Sequence, residues 1–201
     1  MGKVVVFGGT FNPIHLGHIE IINKVLELGS FDKVIVMPTA LPPHKISSDL
    51  ACDADRFEMC KLATEGMEKV EVSDLELLRG GKSYTYDTLK HLKNTQPEID
   101  ISLVCGGDMI VTLKEWYRFK DILKLADIIA VRRVGIDNEE FKAAVIDLIN
   151  IGGVVDVLKG EICDISSTEI KKHIDNKDYL MRFLPEKVYN YIVNNNLYSG
   201  E

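Results

Sequence analysis

Short apolar runs alternate along this chain with segments whose apolar residues recur at helical spacing, and no other feature restricts the fold as much. The runs are Val4–Phe7, Val34–Met37, Val70–Ser73, Ile101–Cys105 and Ile128–Val131, with helix candidates between most of them. Strands that alternate with helices predict an α/β fold, a parallel sheet covered by those helices. Asp137–Asn150 reads as a further helix, Val154–Leu158 as a late strand, and Pro185–Asn194 as a closing helix with proline at its start, where a missing N–H costs little. Open parallel sheets bind ligands beyond the carboxyl ends of their strands, so the residues after each run are the first to read for chemistry.

A chain of 201 residues suffices for one large domain, or one domain with a small appendage, and either buries a substantial core. Its 24 basic and 31 acidic residues give a net charge of −7, which argues against a broad nucleic-acid footprint; local basic groups can still bind a nucleotide. Cys52, Cys60, Cys105 and Cys163 lack Cys-x-x-Cys or zinc-ligand spacing, so they read as reduced thiols and no metal site is indicated. Neither a basic cleavable leader nor an apolar run long enough for a bilayer is seen, and the cytoplasm is the expected location.

The first run leads into Gly8-Gly9-Thr10-Phe11-Asn12-Pro13-Ile14-His15-Leu16-Gly17-His18, and Ile19–Leu26 then continues at helical spacing. The segment reads strand, turn, helix. Glycines let backbone approach a ligand closely, and the amides that open a helix favour an anion such as phosphate. His15 and His18 lie at i and i+3, so both imidazoles can address one bound group and donate to phosphoryl oxygens as charge builds on them. A second strand end, Gly106-Gly107-Asp108, faces the same edge of the sheet.

Four more stretches carry candidate chemistry. In Asp164–Lys172, Ser166 or Ser167 can cap a helix, and the first-turn amides, hydroxyls and a lysine suit an anion, although the same residues also read as a plain capping box. Pro38–Lys45 is a proline-stiffened loop ending in His44 and Lys45, both able to meet phosphate. Gly81–Thr88 runs from a turn into a helix with Tyr84 and Thr85 at the junction. Leu113–Phe119 holds Trp116, the only tryptophan, which alone reads as a core residue and otherwise as a platform for a flat ring.

The Gly8–His18 segment resembles the HxGH signature of the nucleotidyltransferase superfamily, and the late Ser-Ser-Thr-Glu-Ile-Lys segment resembles its ISSTxIR element, with Lys171 where arginine is usual. Together with Pro42-Pro43-His44-Lys45, Ser83–Thr88, the Gly106–Met109 turn, Glu115–Phe119 and Val131-Arg132-Arg133 in order, the chain from Val4 to Tyr198 resembles the bacterial nicotinate mononucleotide adenylyltransferases of NAD biosynthesis. The resemblance implies a Rossmann-like open parallel sheet with helices on both faces, in a single domain over residues 1–201 with a small C-terminal helical part from about residue 164. It also implies adenylyl transfer from ATP to nicotinate mononucleotide, giving deamido-NAD and pyrophosphate.

Carried over by position, His15, His18 and Lys45 are the catalytic candidates. Gly8, Gly9, Thr10, Phe11, Gly17, Gly106, Asp108, Ser167, Thr168 and Lys171 are those for ATP, and His44, Tyr84, Thr85, Trp116 and Tyr117 those for the mononucleotide. Which substrate phosphate His44 and Lys45 each serve stays open. Asn12 stands where aspartate is frequent, and Lys171 keeps a charge without the planar fork of arginine. Mg²⁺ is expected to travel with ATP, held by water and substrate oxygens without a protein cage. ATP and nicotinate mononucleotide are the expected partners, with neither nucleic acid nor membrane, and self-association is left open. A phosphopantetheine adenylyltransferase or cytidylyltransferase would share HxGH without the Ser83–Thr88 and Glu115–Phe119 pair. A dehydrogenase would need GxGxxG in the first turn. A nucleotide sensor with the same fold would bind ATP without turnover.

Overall fold

The computed structural model describes residues 2–41, 50–132, 137–160, 162 and 165–199; the candidates His44 and Lys45 lie outside them. Six strands, β1 (Lys3–Gly9), β2 (Lys33–Pro38), β3 (Val70–Val72), β4 (Asp100–Gly106), β5 (Asp127–Val131) and β6 (Val155–Val157), form one sheet in the order β3-β2-β1-β4-β5-β6. Every neighbouring pair is parallel. This is the expected Rossmann-like α/β arrangement.

Alternate strand residues point to opposite faces, and helices cover both, which is why the runs are apolar without interruption. On one face Val5, Phe7, Val34, Val36, Val104 and Ile129 pack against helices α1 (Leu16–Glu27) and α2 (Asp53–Thr64). On the other face Val4, Val6, Ile35, Met37, Leu103, Cys105 and Ile128 pack against helices that follow α3 (Leu75–Arg79). These are α4 (Thr85–Thr95), α5 (Gly107–Thr112), α6 (Phe119–Leu125) and α7 (Asn138–Asn150). The C-terminal helices α8 (Ser167–Lys172), α9 (Lys177–Phe183) and α10 (Glu186–Asn194) join the first face through Ile170, Leu180, Val188 and Ile192. Pro185 is the residue before α10 and not its first turn, since its ψ of 139° is extended.

The strand order reverses at β1, which has β2 on one side and β4 on the other. Helices leaving neighbouring strands toward opposite faces open a crevice there, at the carboxyl edge. β1 continues two residues past the end of its apolar run: Gly8 and Gly9 pair in register with Met37 and Pro38, so the turn proper starts at Thr10. Among the described residues no helix is long and apolar enough to cross a membrane.

One side chain that the sequence reading passed over holds this edge together. Arg56 of α2 is fully buried. Its guanidinium donates to Ala51 O (3.2 Å), to Thr10 O in the β1–α1 turn (2.8 Å), to Ala40 O after β2 (3.3 Å) and to the Asp53 carboxylate (2.5 Å). Three backbone carbonyls from three segments thus share one cation. Replacing it takes this donor from one buried and two partly buried bonds, at up to about 1–3 kcal/mol for each group left unsatisfied.

Arg56→Met is therefore expected to destabilise the chain by about 3–5 kcal/mol, the range for breaking a buried charge network. The melting temperature falls by roughly 6–20 °C for a protein of this size. Asp53→Asn, acting on a side chain 52% exposed, is expected to cost under about 1 kcal/mol. Thermal and urea unfolding of both variants measure this, and equal losses would show that the ion pair, not the carbonyl contacts, carries the stabilisation.

Candidate active site

The turn after β1 places both histidines of the HxGH segment. His15 is the N-cap of α1, in extended conformation, so the helix begins at Leu16 and only His18 is a helix residue. The two rings stack with centroids 3.7 Å apart, and both residues are buried, at 2% and 9% exposure. The backbone N–H of His15 donates to His18 Nδ1 at 3.2 Å. A nitrogen that accepts carries no proton, so the neutral His18 ring presents Nε2–H as its donor. Phe11 meets His18 edge to face at 5.0 Å and Phe7 tilts against it at 5.9 Å, so the imidazole orientation is set by packing as well as by the bond.

Gly9 is required by the same packing. A Cβ there would come within 2.9–3.2 Å of the Phe11 ring, whose own backbone sits at φ 46°. Gly8 is different, because a Cβ added to it would find its nearest neighbour, Met37 O, at 4.0 Å. Its value to the site is the open space above it. Gly17 is buried in the first turn of α1. Asn12 accepts from the Ala51 N–H (3.0 Å) and from the Tyr198 hydroxyl (2.8 Å), tying the turn to the start of α2 and to the C-terminal tail. An amide oxygen suffices for both bonds, which gives Asn12 a role without negative charge.

A cavity of about 390 Å³ opens at the crevice between β1 and β4. It joins Gly8, Gly9 and Thr10 to Tyr84, Thr85, Asp108, Trp116 and Tyr117, candidates drawn from four separate sequence segments. Gly106 ends β4 and caps α5, so the predicted turn is a direct strand-to-helix junction that carries the exposed Asp108 to the rim. Tyr84 caps α4 by its backbone alone, its side chain making no hydrogen bond to the amides of the first turn. Helix starts leave such N–H groups pointing outward. Trp116 is half-buried, packed against the second-face core and lining the cavity, so the two readings of it are one position. Tyr117 is exposed, its ring 5.0 Å from that of Tyr84.

The late motif comes to the turn rather than to the cavity. Ser166 caps α8 by accepting from Glu169 N (3.1 Å), while the Ser167 hydroxyl donates to Pro13 O (2.9 Å), docking the helix start beside the HxGH turn. Thr168 is exposed, and the Lys171 ammonium lies 5.9 Å from the centre of the Tyr198 ring. Phe11, His15, Gly17, His18, Gly106, Ser167, Thr168 and Lys171 are not among the residues that line the cavity. The site has two halves that meet at Gly8–Thr10.

The cavity also holds polar residues outside the candidate set, two of them, Ser83 and Thr88, at the ends of the Ser83–Thr88 motif. Glu76, Ser83 and Thr88 are buried in its wall, and Thr39 contributes a buried hydroxyl. Burial pushes the Glu76 carboxyl up from its ordinary value, while Thr88, Ser83 and Arg79 pull it back. Arg56 carried a signal in the sequence, since Met59 and Cys60 at i+3 and i+4 put it on an apolar helix face. Glu76, set among leucines on a five-residue helix, carried none. Among the described residues no group of three or more His, Cys, Asp or Glu is placed to hold a metal ion.

A family model described as cytidylyltransferase-like matches residues 6–173. A probable nicotinate-nucleotide adenylyltransferase of Listeria monocytogenes is 36% identical over 197 residues, 98% of this chain and 97% of that one. The corresponding proteins of Clostridium tetani (34%, covering 98% and 100%) and Carboxydothermus hydrogenoformans (36%, covering 98% of each) are similar to it over the same extent. Plasmodium falciparum nicotinic acid mononucleotide adenylyltransferase, solved in complexes with APC and with NaAD, superposes with TM-scores of 0.81 at 19% and 20% identity, covering 100% of this chain and 99% of the other. At that identity the superposition establishes the fold alone. The near-complete coverage at over one-third identity, added to the cytidylyltransferase-like match, decides the family: the chain belongs to the nicotinate-nucleotide adenylyltransferases.

Proposed function

We infer that the chain transfers the adenylyl group of ATP to nicotinate mononucleotide, forming deamido-NAD and releasing pyrophosphate. The observation that carries this reading is the one cavity that joins the glycine end of β1 to the aromatic wall of Tyr84, Trp116 and Tyr117. A phosphate-accepting backbone beside a platform for a flat ring suits a mononucleotide, and about 390 Å³ falls within the range of small-ligand sites. The C-terminal helices share the sheet's core, which supports treating residues 1–201 as one domain.

In the proposed arrangement ATP enters as its Mg²⁺ complex. Its phosphates lie along Gly8, Gly9, Thr10 and Phe11 against His15 and His18, with Gly17 leaving room for the adenosine and Gly106 and Asp108 near its ribose. Ser167, Thr168 and Lys171 flank the triphosphate from the C-terminal side, consistent with the docking of Ser167 on Pro13 O. The pyridine ring stacks on Trp116, and its carboxylate takes backbone amides near Thr85 and Tyr117. His44 and Lys45 complete the phosphate contacts. The 5′-phosphate oxygen of the mononucleotide attacks the α-phosphorus; a new P–O bond forms in line as the bond to pyrophosphate breaks. The nucleophile is already ionised at neutral pH, so positioning and charge stabilisation supply the catalysis and no base is required. The free thiols of Cys52, Cys60 and Cys105, the last raised to about 12 by burial, suit a reducing compartment such as the cytoplasm.

The acid form should be preferred. Hydrogen bonds from amides to a charged carboxylate are worth about 1.5–3 kcal/mol, and a carboxamide would set an NH₂ against N–H donors, so the preference is expected to be roughly tenfold or more in kcat/KM. Pyrophosphate release measured with nicotinate mononucleotide, nicotinamide mononucleotide and phosphopantetheine, each with ATP and Mg²⁺, tests the assignment. Equal rates with the first two would remove the acid-specific reading, and ATP binding without any turnover would make the chain a sensor.

His18→Ala removes the Nε2–H donor and is expected to lower kcat by about 10²-fold, the scale for a single transition-state donor, with a smaller change in KM for ATP. The substitution also removes the acceptor of the His15 N–H, an N-cap bond worth about 1 kcal/mol, so the melt is recorded alongside. A variant with normal kcat and weakened ATP binding would make His18 a ground-state contact.

A further inference from the structure

We propose that Glu76 is a positioning residue for the mononucleotide: through Thr88 it fixes the first turn of α4, and thereby the preference for a ring carboxylate over a carboxamide. The inference rests on the proposed function, because it concerns the amides that would receive that carboxylate.

The first turn of α4 has no side-chain cap of its own. It is held from two sides instead. On one side Ser83, just before the helix, donates its N–H to Leu41 O (3.0 Å), and its hydroxyl oxygen accepts from Ala40 N (3.0 Å), which anchors the junction to the end of β2. On the other side Thr88, one turn into the helix, donates its hydroxyl to Glu76 Oε1 at 2.5 Å and accepts from Arg79 Nη2 at 3.0 Å. Glu76 and Thr88 are both buried, at 5% and 2% exposure, and both line the cavity together with Tyr84 and Thr85. The clasp and the candidate carboxylate site are therefore two faces of the same helical turn.

Stability does not explain a carboxyl in this place. Removing an ionisable group from water is costly, and well-packed apolar substitutes for buried charged clusters are often neutral or stabilising. Among the described residues Glu76 Oε2 is buried without a hydrogen bond, and Oε1 carries the polar contacts, to the Thr88 hydroxyl and, at 3.8 Å, to Arg79 Nη2. A hydroxyl–carboxylate bond is short and directional, and it locks the rotamer of Thr88 against α3. Without it the first turn of α4 keeps its apolar packing through Tyr86 and Leu89 but loses its polar tie to α3, and the helix start can shift. A shift of about half an ångström at a helix start is enough to spoil paired hydrogen bonds to a rigid ligand.

Steady-state kinetics of wild type, Glu76→Ala, Glu76→Gln, Thr88→Val and Thr88→Ser, with both mononucleotides and with ATP, test this. Glu76→Ala and Thr88→Val are expected to raise KM for nicotinate mononucleotide about tenfold and to lower the acid-to-amide ratio in kcat/KM at least about threefold, with KM for ATP within about twofold of wild type. Glu76→Gln keeps an acceptor and Thr88→Ser keeps a donor, so both are expected to stay within about threefold of wild type. Thr88→Val preserves side-chain shape and serves if Glu76→Ala fails to fold. An unchanged ratio and unchanged KM in Thr88→Val would overturn the inference. So would a fall in kcat for both mononucleotides at constant KM, the mark of a purely structural role, or a Glu76→Gln as impaired as Glu76→Ala. A wild-type chain that does not prefer the acid overturns the proposed function itself, which separates the two failures.

Discussion

The reversal of strand order at β1 is the constraint on which the molecule turns. With β2 on one side and β4 on the other, the helices that follow neighbouring strands leave toward opposite faces, and the carboxyl edge between them cannot be closed by packing. Candidate residues from four sequence segments gather at that opening. The end of β1 supplies Gly8 and Gly9, the start of α1 supplies the stacked histidines, β4 runs straight into α5 to deliver Asp108, and the start of α4 brings Tyr84 and Thr85 across from the end of β2. Apolar strands buried on both faces make the platform rigid enough for such placement to persist.

An open edge would be a liability without internal ties, and the ties are polar. Arg56 links the carbonyls of Thr10, Ala40 and Ala51 through one buried cation. Asn12 joins the same turn to Ala51 and Tyr198, and Ser167 docks α8 on Pro13. Ser83 and the Glu76–Thr88 pair do the corresponding work around α4. Several of these bonds run between segments far apart in sequence, Ser167 to Pro13 and Tyr198 to Asn12 farthest of all. Such ties are most effective where the hydrophobic core cannot reach, because a directional bond in a dry setting fixes position as well as adding energy.

This difference in the nature of the forces explains what was legible beforehand. Apolar periodicity is written locally, so all six strands, α7 and α10 could be read within a residue or two. The shift at Gly8 and Gly9, strand rather than turn, came from pairing with Met37 and Pro38, a partner no local pattern reveals. The candidate residues of the β1 turn, α4, α5 and the Trp116 region were legible because they carry glycine, histidine or aromatic chemistry in compact motifs, and the fold brings those segments to one edge. Thr88 lay within the Ser83–Thr88 motif, but its partner Glu76 could not be read in that way. Their meaning lies in a contact across twelve residues between two short helices, and either side chain alone is unremarkable on its own segment.

The central claim is that one crevice serves both nucleotides, with the phosphate chain crossing Gly8–Thr10 and the pyridine ring in the cavity beside it. A crystal structure of the chain with deamido-NAD tests it most directly, because the product spans both halves at once. The account requires the diphosphate against the β1–α1 turn within hydrogen-bond reach of His18 Nε2, and the pyridine over Trp116 with its carboxylate at the start of α4. A product bound with its pyridine outside that cavity, or with its diphosphate away from the glycine turn, would contradict it.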